Sequence, residues 1–314
     1  MFKQETSYAS DYCLLMEAIK RINCEKQKLQ KSEEYRKGKA VCRFSKSGLT
    51  KKVDIVAQRI NPKGKKRNAV LGRYSKDLPT AFNDRACCDY FSDSRIAVYT
   101  CIIGRYDNLL EPLIAPDNID YFAITNFPIP ETSRWKWIDA DSFEDVKGFS
   151  PALTNRFFKI NPHKVFPQYK YSIYVDGNFR ICSDFTEHVN RMSKYGFSHF
   201  RHSKRTCVFQ EAEVCRALKK ETDENIDNYI SRLQAGGFPK EYGLLACDIL
   251  VREHNNPVCK SIMEQWWYEF SNYVKRDQLS LPFVLYKNGI KIDDVATLGG
   301  DVHKDYSFEI VEHI

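Results

Sequence analysis

Residues 95–103, RIAVYTCII, are apolar and largely β-branched without polar alternation. That is the pattern of a strand covered on both faces, and such strands belong to parallel sheets whose crossover helices supply the covering. IDYFAIT (119–125) and YKYSIYVDGN (169–178) read as further strands, and YGLLACDILV (242–251) as a later one. SIMEQWWYEFSNYV (261–274) reads as a long aromatic helix. Strands separated by helical stretches predict an α/β fold with a mostly parallel central sheet.

The first 93 residues have a different character. Residues 8–35 suit a helix capped by Ser10 or Asp11, with Leu14, Leu15, Ala18, Ile19 and Ile22 at helical spacing. From Arg36 to Arg73 the chain holds thirteen Lys or Arg against one acid, Asp54. The formal charge of +7 is therefore a local feature, and the remainder is net acidic. The division predicted is a helical and basic segment at 1–93 and an α/β domain at 94–314. The basic stretch suits an anionic membrane surface, each charge gaining on the order of 1 kcal/mol there. Nucleic acid is the alternative partner, disfavoured because few aromatics are interleaved with these charges and no binding motif is present.

Eleven cysteines, an odd number with no C-x-x-C pair, argue against a disulfide framework or a zinc site. Inert thiols in a reducing compartment are expected, with the adjacent Cys87 and Cys88 the pair to watch. No apolar run approaches the roughly 20 residues of a membrane span, and the N-terminus lacks a secretory core. The expectation is a cytoplasmic protein, peripheral at most to the inner face of a membrane.

The chemistry centres on the end of the third strand, where SIYV gives way to Asp176–Gly177–Asn178. Ligands of open α/β sheets bind off the carboxyl ends of strands. A carboxylate and an amide oxygen two residues apart suit a hard divalent cation, Mn²⁺ or Mg²⁺. Such an ion bridges the phosphates of a nucleotide diphosphate and takes up charge as a sugar–phosphate bond breaks. The same tripeptide is also good turn sequence.

Six ordered blocks surround it: VYTCIIGRYDNL (98–109), DYFAITN (120–126), NRFFKINPHKVFPQYKYSIYVDGNFRI (155–181), FRHSKRTCVFQEAEVC (200–215), GLLACDILVREHNNP (243–257) and KRDQLSLPFVLYK (275–287). Together they resemble the glycosyltransferase-like family first catalogued as domain of unknown function 616, found in bacterial polysaccharide loci and plant cell-wall synthesis. The resemblance implies a GT-A type fold, a nucleotide-sugar donor (a UDP-sugar above all), a saccharide or lipid-linked saccharide acceptor and, usually, a divalent metal. Many GT-A enzymes carry Asp-x-Asp where this chain has Asp-Gly-Asn.

Within the blocks, Tyr99, Thr100, Gly104, Tyr106 and Asp107 sit where the first strand meets its loop, suited to close backbone approach and base stacking. Asp120 suits a ribose or base edge. Arg156 and Lys159, three apart on a helix, suit a diphosphate, or else form a solvated face. Arg201, His202, Lys204 and Arg205 with Glu211 suit phosphate or an acidic acceptor, or a surface salt-bridge cluster. The resemblance implies that Asp277, followed by Gln278, faces the acceptor hydroxyl as a general base. Its other reading is a helix cap. Asp248 and Arg252 are candidates for the sugar or acceptor pocket. By the same resemblance, His303, after the flexible Gly299–Gly300, is a candidate third metal ligand.

Overall fold

The computed structural model describes residues 95–313, Phe185 excepted. The expected helix at 8–35, the basic stretch at 36–73, Cys87–Cys88 and the boundary near residue 93 lie outside the described residues.

The strands are β1 (Ile96–Ile102), β2 (Ile119–Thr125), β3 (Lys136–Asp139), β4 (Tyr171–Val175), β5 (Phe179–Ile181), β6 (Phe197–Arg201), β7 (Leu245–Arg252) and β8 (Phe308–Ile310). The helices are α1 (Pro151–Ile160), α2 (Pro162–Val165), α3 (Glu187–Asn190), α4 (Val208–Ala217), α5 (Asp223–Ala235), α6 (Pro257–Asn272), α7 (Asp277–Lys287) and α8 (Ile292–Val295). Six strands form one sheet in the order β3-β2-β1-β4-β7-β6, while β5 and β8 make a separate antiparallel pair. β1 runs parallel to β2 and β4, and β2 to β3. β7 is antiparallel to both β4 and β6, so five of the six strands share one direction. This is the mixed α/β fold with a mostly parallel sheet that the sequence predicts.

Strand alternation divides the core. Ala97, Tyr99, Cys101 and Tyr174 point to one face, against Phe157 and Phe158 of α1 and Trp266 of α6. Val98, Ile173 and Val175 point to the other, against Met192, Phe200, Val302 and Phe308. A period of two along each strand makes this division unavoidable. Both faces being covered explains why β1 shows no polar alternation. The cysteines at 101, 182, 207, 215, 247 and 259 are all free thiols, and all but Cys182 are buried. No described helix is long and apolar enough to cross a membrane.

α1 begins where the sequence dictates. Ser150 caps it by accepting from the Leu153 amide at 3.4 Å, and Pro151 occupies the first turn, where its missing N–H costs nothing. Asn155 donates to the Cys101 carbonyl at 2.6 Å, tying the helix to the end of β1.

The strand order reverses beside β1: the chain passes from β1 to β2 on one side and returns to β4 on the other. Tyr99 pairs with Tyr174 in register, so the loops after β1 and β4 emerge together at this switch point. Crevices that bind ligands open at such points, outside the carboxyl ends of strands.

Candidate active site

Lys159 lies on the covered face of α1, with its side chain only 1% exposed. Its ammonium donates to Asp277 Oδ2 at 2.9 Å and to Asp176 Oδ1 at 3.3 Å. Arg156, one helical turn earlier, places Nε 3.3 Å from the same Asp277 oxygen. Tyr174 donates its hydroxyl to Asp176 Oδ1 at 2.8 Å. Asp248 on β7 faces the same point: Val175 pairs with Ile249, and the Asp176 amide donates to the Asp248 carbonyl at 3.0 Å. Three carboxylates and two cations thus meet at the carboxyl ends of β4 and β1.

The carboxylates are not equivalent. Burial works against ionising Asp277, yet Lys159 and Arg156 outweigh it and hold its carboxyl well below the usual range. Burial likewise opposes charge on Lys159, and Asp176 with Asp277 overcomes it, so the ammonium's pKa is raised. Asp248 goes the other way. Burial and the neighbouring Asp176 charge push its carboxyl up to about 7. A carboxylate gripped by two cations is a weak proton acceptor, whereas one near neutrality is a suitable one. The geometry therefore gives Asp277 the task of holding Arg156 and Lys159, and leaves proton transfer better matched to Asp248.

Behind the cluster, Arg252 and Tyr99 are fully buried. Arg252 donates to the Lys159 carbonyl at 2.8 Å and to the Tyr99 hydroxyl at 2.6 Å. Tyr99 in turn donates toward the Phe158 and Lys159 carbonyls, each at 3.1 Å. These carbonyls end α1 and have no partners within the helix. The pair is an internal strut that fixes the turn bearing Lys159. Neither residue has surface for a base or a sugar, which corrects the sequence expectation for both. Thr100 is buried as well.

The Asp176–Gly177–Asn178 turn is tightly backed. A Cβ at Gly177 would meet Ile102 Cγ1 at 3.0 Å and Asp107 Oδ2 at 3.2 Å. Asp107 therefore belongs to the site, against the turn and paired with His313 Nδ1 at 2.7 Å. Tyr106 is exposed and its ring meets His313 at a tilt of 54°, centroids 5.3 Å apart. Gly104 takes a left-handed conformation (φ 69°) to turn the chain here, and its amide donates to Asn126 Oδ1 at 2.8 Å. The tail after β8 crosses Asn178, whose carbonyl accepts from the Val311 amide at 2.8 Å.

Asp120 does not join the site. It pairs in register with Ala97 at the start of β1, toward the amino edge of the sheet. There Arg95 (2.6 Å), Lys136 (2.7 Å) and Tyr169 (2.9 Å) saturate it. It is a structural knot, placed at the wrong end of its strand for a donor. His303 is exposed on a single turn at Val302–Lys304, with Lys204 and Asp301 near it. Gln278 lies next to Asp277, and its backbone N–H donates to Asp277 Oδ1 at 3.2 Å. His202 is buried in the loop after β6, at the same edge of the sheet.

Among the described residues no three His, Cys, Asp or Glu side chains gather as a metal-binding group. Asp176 and Asn178 flank the turn at the strand end and are the residues that would hold an ion there. Two protein oxygens fit an ion whose shell is completed by substrate phosphates and water, as Mg²⁺ is commonly held.

A cavity of ≈ 320 Å³ opens at the same edge, lined by Ile103, Asn126, Phe143, Gly148, Pro151 and Thr154 among others. It lies beyond β1 and β2 at the start of α1. A larger one of ≈ 460 Å³ lies at the opposite edge, between Pro167–Lys170 and Glu253–Pro257. The smaller cavity is the one that shares the carboxyl edge of β1 and β2 with the Lys159 cluster.

Sequence reasoning found the members of this cluster but not their relations. The Arg156–Lys159 pair reads as a phosphate clamp, and the structure shows Lys159 buried instead. The signal was present: a lysine set among Phe157, Phe158 and Ile160 must be paired to be tolerated. The Asp107–His313 contact had no local signal, since the two are 206 residues apart.

Residues 145–300 match the family model described as TOD1/MUCI70, glycosyltransferase-like domain. The "Probable hexosyltransferase MUCI70" of Arabidopsis thaliana is 27% identical over 144 residues, 42% of this chain and 25% of that protein. The chain thus matches only about a quarter of this curated relative. Among solved structures, apo WbbM, a bifunctional glycosyltransferase, aligns with TM-score 0.42 and 14% identity over 64% of this chain and 39% of that one. Apo mouse xyloside xylosyltransferase 1 aligns with TM-score 0.38 and 10% identity over 64% and 83% respectively.

Proposed function

We propose that this chain, which belongs to the TOD1/MUCI70 glycosyltransferase-like family through residues 145–300, transfers a sugar from a nucleotide-diphosphate sugar to a saccharide acceptor. A UDP-sugar is the favoured donor, and a lipid-linked saccharide is the alternative acceptor. The observation that carries this reading is the Arg156–Lys159–Asp277–Asp176 cluster, two cations and two carboxylates set at the switch point of the sheet.

The nucleoside occupies the ≈ 320 Å³ cavity beside Asn126 and Gly148, leading its diphosphate toward Asp176. A divalent cation, Mn²⁺ or Mg²⁺, held by Asp176 and Asn178 would supply charge neutralisation at the diphosphate. Arg156, less deeply buried than Lys159, is the side chain that reaches for phosphate oxygen. Lys159 holds the Asp176 carboxylate in place through its 3.3 Å contact. Asp248, which faces Asp176 from β7, accepts the acceptor hydroxyl's proton where the transfer inverts.

Calorimetric titration of UDP, with Mn²⁺ and with chelator, tests the donor assignment. The expected result is binding that weakens at least tenfold in Arg156→Gln. Absence of heat for UDP and every other nucleoside diphosphate, in either condition, removes this reading.

A further inference from the structure

The loop after β6 contains a hydrogen-bonding arrangement that the protein itself leaves incomplete. His202 and Arg205 each keep only 9% of their side-chain surface open. The backbone amides of Lys204 and Arg205 both point at His202 Nδ1, at 3.2 and 3.1 Å. Amides only donate, so Nδ1 carries the lone pair and the ring's proton sits on Nε2. Burial and the cations Arg205 and Lys204 keep the ring neutral and fixed in that tautomer.

Nε2 then aims its N–H beside Arg205 Nη2, 3.3 Å away. Both are donors, and no hydrogen bond forms between them. The neighbouring carboxylate, Glu211, has its Oε2 at 3.8 Å from Nε2, too far to accept, and is already held by Arg205 Nε. Two N–H groups therefore converge without an acceptor between them. Lys204 beside them is exposed. Other charges at this loop include His303, Lys220 and Arg201, the last paired with Asp293, Asp301 beside His303, and Glu241, which accepts from the Thr206 hydroxyl at 3.2 Å, with Lys240.

The placement is directional. Arg201 pairs with Leu245 on β7, three residues before Asp248, a rise of roughly 10 Å. The donor cavity lies on the β1–β2 side of Asp176, and this loop lies on the β7–β6 side. A donor and an acceptor meeting at Asp176 and Asp248 would enter from these two flanks.

We propose that His202 Nε2–H and Arg205 Nη2–H, backed by Lys204, form an oxyanion subsite that receives the carboxylate or phosphate of an acidic acceptor saccharide. The proposal rests on the glycosyl-transfer reading for its identification of the ligand as acceptor, and on the donor–donor contact for the site itself. An oxyanion accepts from both N–H groups at once, and charge-assisted bonds of this kind are roughly twice as strong as neutral ones.

The test is ¹⁵N-histidine NMR on the full chain, titrated separately with glucuronate, glucose 6-phosphate, glucose and inorganic phosphate, and with UDP as a control. Before any ligand, the His202 ring should show the Nε2–H tautomer. Either acidic sugar should shift His202 Nε2, glucose should not, and Lys204→Gln should weaken the acidic sugar at least threefold while leaving UDP affinity unchanged. Glucuronate and glucose 6-phosphate separate a carboxylate from a phosphate source. A shift by inorganic phosphate with neither sugar binding, an equal response to glucose, or no response at all overturns the proposal. Loss of UDP binding with the acidic-sugar shift intact would instead count against the donor reading alone.

Discussion

Lys159 donates to Asp277 at 2.9 Å across 118 residues of chain, inside a region where both side chains are almost wholly covered. This one contact joins the end of α1 to the start of α7 and sets the position of Asp176 between them. Breaking a buried pair leaves a charge with no compensation, which costs about 3–5 kcal/mol. Lys159→Met is therefore expected to lower unfolding free energy by about that amount in urea denaturation. Adding Asp277→Leu should recover part of the loss, because the buried carboxylate, left with Arg156 as its ion-pair partner, is then gone. Additive losses in the double variant would show that the two residues act independently.

A methyl group at Gly177 would press on Ile102 at 3.0 Å and Asp107 at 3.2 Å, tighter than ordinary contact, so these neighbours would have to give. Gly177→Ala should displace the turn and reduce transfer at least tenfold, with a stability cost of about 1–3 kcal/mol. Ile102→Ala in the same chain removes both contacting carbons and should restore part of the activity. An unchanged rate in Gly177→Ala would mean the turn is not held against these neighbours.

The Tyr99–Arg252 strut predicts an effect without ligand contact. Tyr99→Phe removes the acceptor for one Arg252 N–H and the donor to two helix-ending carbonyls. An unsatisfied buried group costs about 1–3 kcal/mol. Thermal unfolding should show this loss. Nucleotide affinity should fall as well, since Arg156 and Lys159 share the helix that the strut fixes. Intact stability in Tyr99→Phe would contradict the role assigned to it.

Asp248 gives the pH dependence. Its carboxyl is pushed up to about 7 in the folded chain, against an unfolded value of about 3.9. The folded state therefore binds this proton more tightly. Its contribution is fully present below about pH 4 and is lost progressively as pH rises through about 7. Asp248→Asn abolishes that loss. Its Tm advantage over the parent should be near zero at about pH 4 and rise to a few degrees at about pH 8. An advantage independent of pH would place the shift elsewhere.

The fold was legible because its strands are covered on both faces and end in turn chemistry: the second expected strand, 119–125, coincides with β2, and the first differs from β1 by one residue at each end. The reversal of β7 was not legible, since LACDILVR is mostly apolar whichever way it runs. In the candidate site, Asp176, Asp248, Asp277, Arg156 and Lys159 were each recognisable as chemical residues in suggestive blocks. What sequence spacing withheld was depth. Asp120 and Asp107 look alike as acids near strands, but one sits at the amino edge in a knot of cations and the other backs the Asp176 turn. Strand direction decides between them, and it appears only when the sheet is assembled.

Release of nucleoside diphosphate from a panel of nucleotide sugars, measured for the parent and for Asp176→Ala with and without Mn²⁺, tests the central claim most directly. The account predicts release from at least one donor by the parent and a loss of a hundredfold or more in the variant. Equal release by both proteins would show that the chemistry does not take place at the end of β4.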